Sequence, residues 1–151
     1  MRFVATKRSI ASLAFLVLVG WVSQAQAQFG VGSAWVRTDA AAKGLTMSVE
    51  ACCNGGLRLI YQIAPAGGQP ATTMTVDSPM DGKEVPVMVA GKPSGQTMAI
   101  TRVDDRHYTS VSKANGQLFG TSSATVSADG KSMTVESVTL GTKTIETWVR
   151  K

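Results

Sequence analysis

Beyond residue 33, apolar and polar side chains alternate with a period of two along most of the chain. That spacing belongs to strands that bury one face and wet the other. From Leu45 to Cys53, Met47, Val49, Ala51 and Cys53 alternate with Thr46, Ser48, Glu50 and Cys52. From Leu57 to Ile63, Leu57, Leu59, Tyr61 and Ile63 share one face, while Arg58 and Gln62 lie on the other. Between these arms stands Asn54-Gly55-Gly56, and Asn-Gly supplies the positive φ that a tight hairpin turn requires.

The same alternation predicts further strands at Ala34–Arg37, Ala71–Val76, Glu84–Met88, Thr97–Val103, His107–Lys113, Gln117–Ser127, Ser132–Thr139 and Lys143–Arg150. Turn residues separate them: Ser78 to Lys83 with Pro79 and Asp81-Gly82, Gly91 to Gly95, Asp104-Asp105-Arg106, Asn115-Gly116, Asp129-Gly130 and Gly141-Thr142. Ala64 to Pro70 reads as a Gly/Pro loop, and Pro86 makes its strand an edge or irregular one. Asp39 to Lys43 has room for one helical turn. Short links between nine or ten strands call for antiparallel neighbours, and open edges are an aggregation hazard. The predicted fold is all-β: a single antiparallel meander closed into a barrel of eight to ten strands.

The first 27 residues follow a different pattern. Arg2, Lys7 and Arg8 precede an apolar run from Ile10 to Val22, and Ala25-Gln26-Ala27 is a small-residue cleavage pattern. This reads as a secretory signal peptide cleaved near Ala27, leaving residues 28–151 as one domain in the periplasm or outside the cell. A spanning helix needs about 20 apolar residues, and no later stretch approaches that. The signal holds three basic residues and no acidic one, so the net charge of +5 falls to +2 across the expected mature chain. Those charges are interspersed. The clustered cations that bind nucleic acid or an anionic membrane surface are missing from the pattern.

Gly32-Ser33-Ala34-Trp35, Asp39-Ala40-Ala41-Ala42-Lys43, Asp81-Gly82-Lys83-Glu84-Val85-Pro86-Val87, Ile100-Thr101-Arg102-Val103-Asp104 and the stretch Ser127 to Val135 carry a resemblance. Together they resemble the small secreted bacterial proteins with a lipocalin-like, calycin-type β-barrel, most of which have no known function. The resemblance implies that Trp35 plugs the closed end of a barrel, with a basic side chain such as Arg102 or Arg150 over its ring.

Candidate chemistry is sparse. Cys52 and Cys53 are adjacent, and neighbours on a strand point to opposite faces, so unbridged thiols are the leading reading. A vicinal disulfide, an intermolecular bridge and soft-metal binding are the alternatives. Asp104, Asp105 and His107 gather the only imidazole with two carboxylates, but a solvated turn with capping Asp side chains accounts for them. Gly120-Thr121-Ser122-Ser123-Ala124 has the small residues of a nucleophile elbow without its strand-to-helix turn. No enzyme activity, cofactor or metal is expected.

The interior is more informative. Leu118, Gly120, Ser122, Ala124 and Val126 share one face of their strand and are small enough either to leave a cavity or to admit facing Met and aromatic side chains. Close packing is the rule in interiors and puts a filled middle first. The function expected is non-catalytic binding of a small hydrophobic or carboxylate ligand at the barrel mouth. Tyr61, Met98, Ile100, Phe119 and Trp148 would form the walls, and Arg102, on the face of Met98 and Ile100, would steer the carboxylate. The alternative is a structural or protein-interaction module of the cell envelope with a filled barrel.

Overall fold

In the computed structural model, residues 29–42 and 44–151 are described; the expected signal peptide lies outside them. Ten strands follow one another: β1 (Ala34–Arg37), β2 (Thr46–Cys52), β3 (Gly56–Ile63), β4 (Thr72–Ser78), β5 (Asp81–Val89), β6 (Lys92–Arg102), β7 (His107–Ala114), β8 (Gln117–Val126), β9 (Ser132–Thr139) and β10 (Thr142–Arg150). Each pairs antiparallel with its sequence neighbours, and β1 pairs with β10 to close the barrel. The seam is short: Trp35 faces Arg150, Val36 faces Val149 and Arg37 faces Trp148. Among the described residues no helix is long and apolar enough to cross a membrane.

Primed turns make the meander compact. Ala90-Gly91, Asn115-Gly116 and Leu140-Gly141 each place two successive residues at positive φ, the twist that matches two right-twisted strands. The helical turn expected near Asp39 is a 3-10 turn, Ala40–Ala42.

The β5–β6 hairpin departs from the sequence reading. The expected loop from Gly91 to Gly95 is largely strand, since β6 already begins at Lys92. Pro86 and Pro93 sit beside the register shift between Pro86 and Met88, the kind of irregularity at which a sheet tolerates proline.

The cysteines also differ from the leading expectation of free thiols. Cys52 and Cys53 form a vicinal disulfide. Strand β2 ends at Cys52, and Cys53 and Asn54 turn to φ of 54° and 53°, so the two side chains no longer obey strand alternation.

One end of the barrel is filled. Trp35, Val49, Val76, Val87, Val126 and Ser78 are fully buried there. Phe29 packs against them and reaches the cavity floor, its ring 6.1 Å from Trp35 and 5.0 Å from Tyr108. The Trp35 indole N–H donates to Ser33 Oγ at 3.1 Å, which satisfies the single polar atom of a buried ring. Phe29 is thus a ring partner of Trp35.

Candidate functional site

Above this plug the interior opens into a cavity of about 280 Å³. Its walls follow from the alternation. Strands β2, β3, β4 and β6 turn Met47, Leu59, Tyr61, Met74 and Met98 inward; β7, β8 and β9 contribute Ser110, Ser112, Ser122, Ser137 and Thr139. Hydroxyls thus gather on β7 to β9, among Phe119, Met133 and Val135, while β2 to β6 present mainly thioether and other apolar groups. Five of the chain's seven methionines (Met47, Met74, Met80, Met98 and Met133) line the space. Thioethers adapt their shape to irregular partners, which suits a wall that must receive a guest. Ser110 and Ser122 bond each other, Oγ to Oγ, at 2.6 Å across β7 and β8.

The expected small residues of β8 account for the volume. Gly120, Ser122 and Ala124 line the cavity without filling it. At the mouth of β8 the ladder slips: Ser112 pairs with Gly120 but Lys113 with Leu118, so Phe119 is the extra residue of a bulge. The bulge turns Phe119 onto the cavity and leaves Leu118 outside, 64% exposed. A filled middle, the first expectation from close packing, holds for the closed end only.

Of the predicted site residues, Tyr61, Met98, Ile100, Phe119 and Trp148 come together on this cavity. Arg102 does not. It ends β6 at the closed end, where its Nη2 donates to Asp105 Oδ1 at 2.6 Å and its Nε to the Asp104 carbonyl at 3.4 Å. Sharing a face with Met98 and Ile100 carried it past the buried layer and into solvent.

Asp104, Asp105 and His107 lie in the same exposed turn. Asp104 Oδ1 accepts from the backbone N–H groups of Arg106 and His107, each at 2.8 Å, and the His107 ring nitrogen Nδ1 sits 2.7 Å from Asp104 Oδ2. These are the bonds of a capped turn.

The cation at the cavity is Arg37, which alternates with Trp35 on β1. Asp39 grips it twice, accepting from Nε at 2.6 Å and from Nη2 at 3.1 Å. Its Nη1 lies 3.3 Å from Glu146 Oε1 on β10. Glu146 Oε2 in turn accepts the Trp148 indole N–H at 3.1 Å. Tyr61 meets Trp148 edge-on, centroids 6.2 Å apart. Burial, with the Glu146 charge second, pushes the Tyr61 phenol far above its ordinary pKa, so it stays protonated.

Arg37 and Glu146 were legible in principle. Each lies two residues from a tryptophan on an alternating strand, so each shares its face with an indole.

Hydrogen bonding to Arg37 holds the Asp39 carboxyl below its usual range, and Arg58 does the same for Asp77 across β3 and β4. The unfolded chain then binds more protons than the folded one near the ordinary carboxyl pKa of about 4. These pairs are thus expected to support the fold above about pH 4 and to fail as pH drops through the depressed folded values. A series of urea midpoints from pH 7 to pH 2 checks this: Asp39→Asn and Asp77→Asn should each flatten the acid limb. Acid limbs parallel to that of the parent would contradict the assignment.

Fold and site together define a closed, ten-stranded antiparallel meander barrel with an internal cavity. No protein-family model matches the chain, and no curated protein or solved structure matches it either.

Proposed function

We propose that this chain is an exported, non-catalytic binding protein of lipocalin-like architecture, which takes a small, partly apolar molecule into its barrel. The observation that carries this reading is the cavity of about 280 Å³, walled by methionine and aromatic side chains above a filled plug. Concave, mostly apolar sites with a few polar groups are the usual form of small-molecule sites. The alternative, an interaction module of the envelope with a filled barrel, calls for an interior without such space.

The test is thermal unfolding with short-chain alcohols and aromatics, 1-octanol first. A ligand at a hundred times its Kd stabilises the folded state by about 2.7 kcal/mol, a readily measured rise in midpoint. Ser137 lines the cavity opposite Ser122, and a phenyl ring there would occupy the guest's volume. Ser137→Phe is therefore expected to keep the fold and abolish the rise. If no probe raises the midpoint of the parent, or if the variant binds as well as the parent, the reading is wrong.

A further inference from the structure

Among the described residues, Arg37 and Glu146 are the two charged side chains that line the cavity. Their balance is not neutral, because Asp39 occupies two donors of Arg37 from outside the lining. One guanidinium thus faces two carboxylates, all three mostly buried, with side-chain exposures of 14%, 18% and 23% for Arg37, Asp39 and Glu146. The corner carries a net negative charge, and Glu146 is the carboxylate of the two that lines the cavity.

Glu146 retains capacity to accept. Each of its oxygens has one partner, the Arg37 Nη1 and the Trp148 indole N–H. A carboxylate offers roughly four acceptor positions. Beside it the Tyr61 hydroxyl has no hydrogen-bond partner among the described residues, and the rings of Tyr61 and Trp148 present their π systems. Aromatic faces attract cations electrostatically, most strongly where water is displaced. An incoming carboxylate would instead meet Glu146 in a partly dehydrated site with no free counter-charge.

We propose, resting on the binding reading above, that the ligand is an aliphatic or aromatic amine whose ammonium group seats on Glu146 beside Tyr61 and Trp148. Its apolar body lies along the methionine wall. A carboxylate ligand steered by Arg102 is not supported, because Arg102 pairs with Asp105 outside the cavity.

The experiment is calorimetric titration of the whole protein at pH 7 with three probes of one chain length: octylammonium chloride, 1-octanol and sodium octanoate. A charge-assisted hydrogen bond in a sheltered site should make the ammonium bind about tenfold more tightly than the alcohol, with the octanoate weakest. Glu146→Gln should erase the preference for the amine while 1-octanol still binds. Asp39→Asn, which lightens the corner's charge from outside the lining, should weaken the amine relative to the alcohol, and it serves if Glu146→Gln folds poorly. Octanoate binding as tightly as the amine, or an amine preference unchanged in both variants, would overturn the head-group assignment and leave the binding reading standing. If none of the three probes binds, both fall.

Discussion

Replacing Trp35 with alanine is expected to destabilise the barrel by about 3–5 kcal/mol. The indole is fully buried at the closed end and packed at a tilt against Phe29, and its N–H is satisfied within the fold by Ser33 Oγ. Truncation removes the largest side chain of the plug and leaves a void between strands that closed hydrogen-bond ladders hold apart, so collapse around it is limited. The site also lies on β1, the four-residue strand that joins the two ends of the meander. Guanidinium unfolding followed by far-UV dichroism checks the value, with Trp35→Phe as a milder companion. A loss under about 1 kcal/mol would be in the range of surface substitutions, and would show that this end is not filled as described.

Gly56→Ala is expected to cost about 3 kcal/mol, at the upper end for overpacked positions. Gly56 opens β3 directly opposite Cys52. A Cβ placed there would fall on the Ser78 carbonyl oxygen and come within 2.7 Å of Pro79 Cα. Both obstacles are backbone, so no rotamer change relieves them, and the β4–β5 turn would have to move away from the disulfide-bearing hairpin. Gly141→Ala provides the contrast. Its φ of +81° disfavours a side chain, but nothing lies within 4 Å of the added carbon. About 1–2 kcal/mol is expected there, from the left-handed conformation alone. Equal losses at the two positions would mean that the close approach at Gly56 is not present in solution.

Much of the barrel was legible because hairpin chemistry is local. Asn115-Gly116 and the alternation around it announce β7 and β8, and the structure has both. The β5–β6 hairpin was harder: Pro86, Pro93, Gly82 and Gly95 all read as breakers, and only the pairing partners show that bulges absorb them. The cavity walls were readable in part, since Tyr61, Met98, Ile100 and Trp148 lie on faces that alternation marks as buried. Alternation says which face a residue occupies but not how far along the barrel axis it sits. That is why alternation alone puts Arg102 on the face of Met98 and Ile100, while the residue lies at the closed end. Arg37 and Glu146 escaped notice because each looks like an ordinary surface charge until β1 and β10 pair and set them against each other. The vicinal disulfide was obscured for a similar reason: the rule of opposite faces stops applying one residue earlier than the apolar pattern does.

The most direct test is the indole N–H region of the NMR spectrum during addition of 1-octanol. The chain has three tryptophans: Trp148 on the cavity wall, Trp35 sealed in the plug, and Trp21 ahead of the described residues. A guest entering the barrel should move the Trp148 signal along a saturable curve and leave that of Trp35 in place. A Trp148 signal that never moves, or a Trp35 signal that moves as far, would contradict a barrel that is closed at one end and receptive at the other.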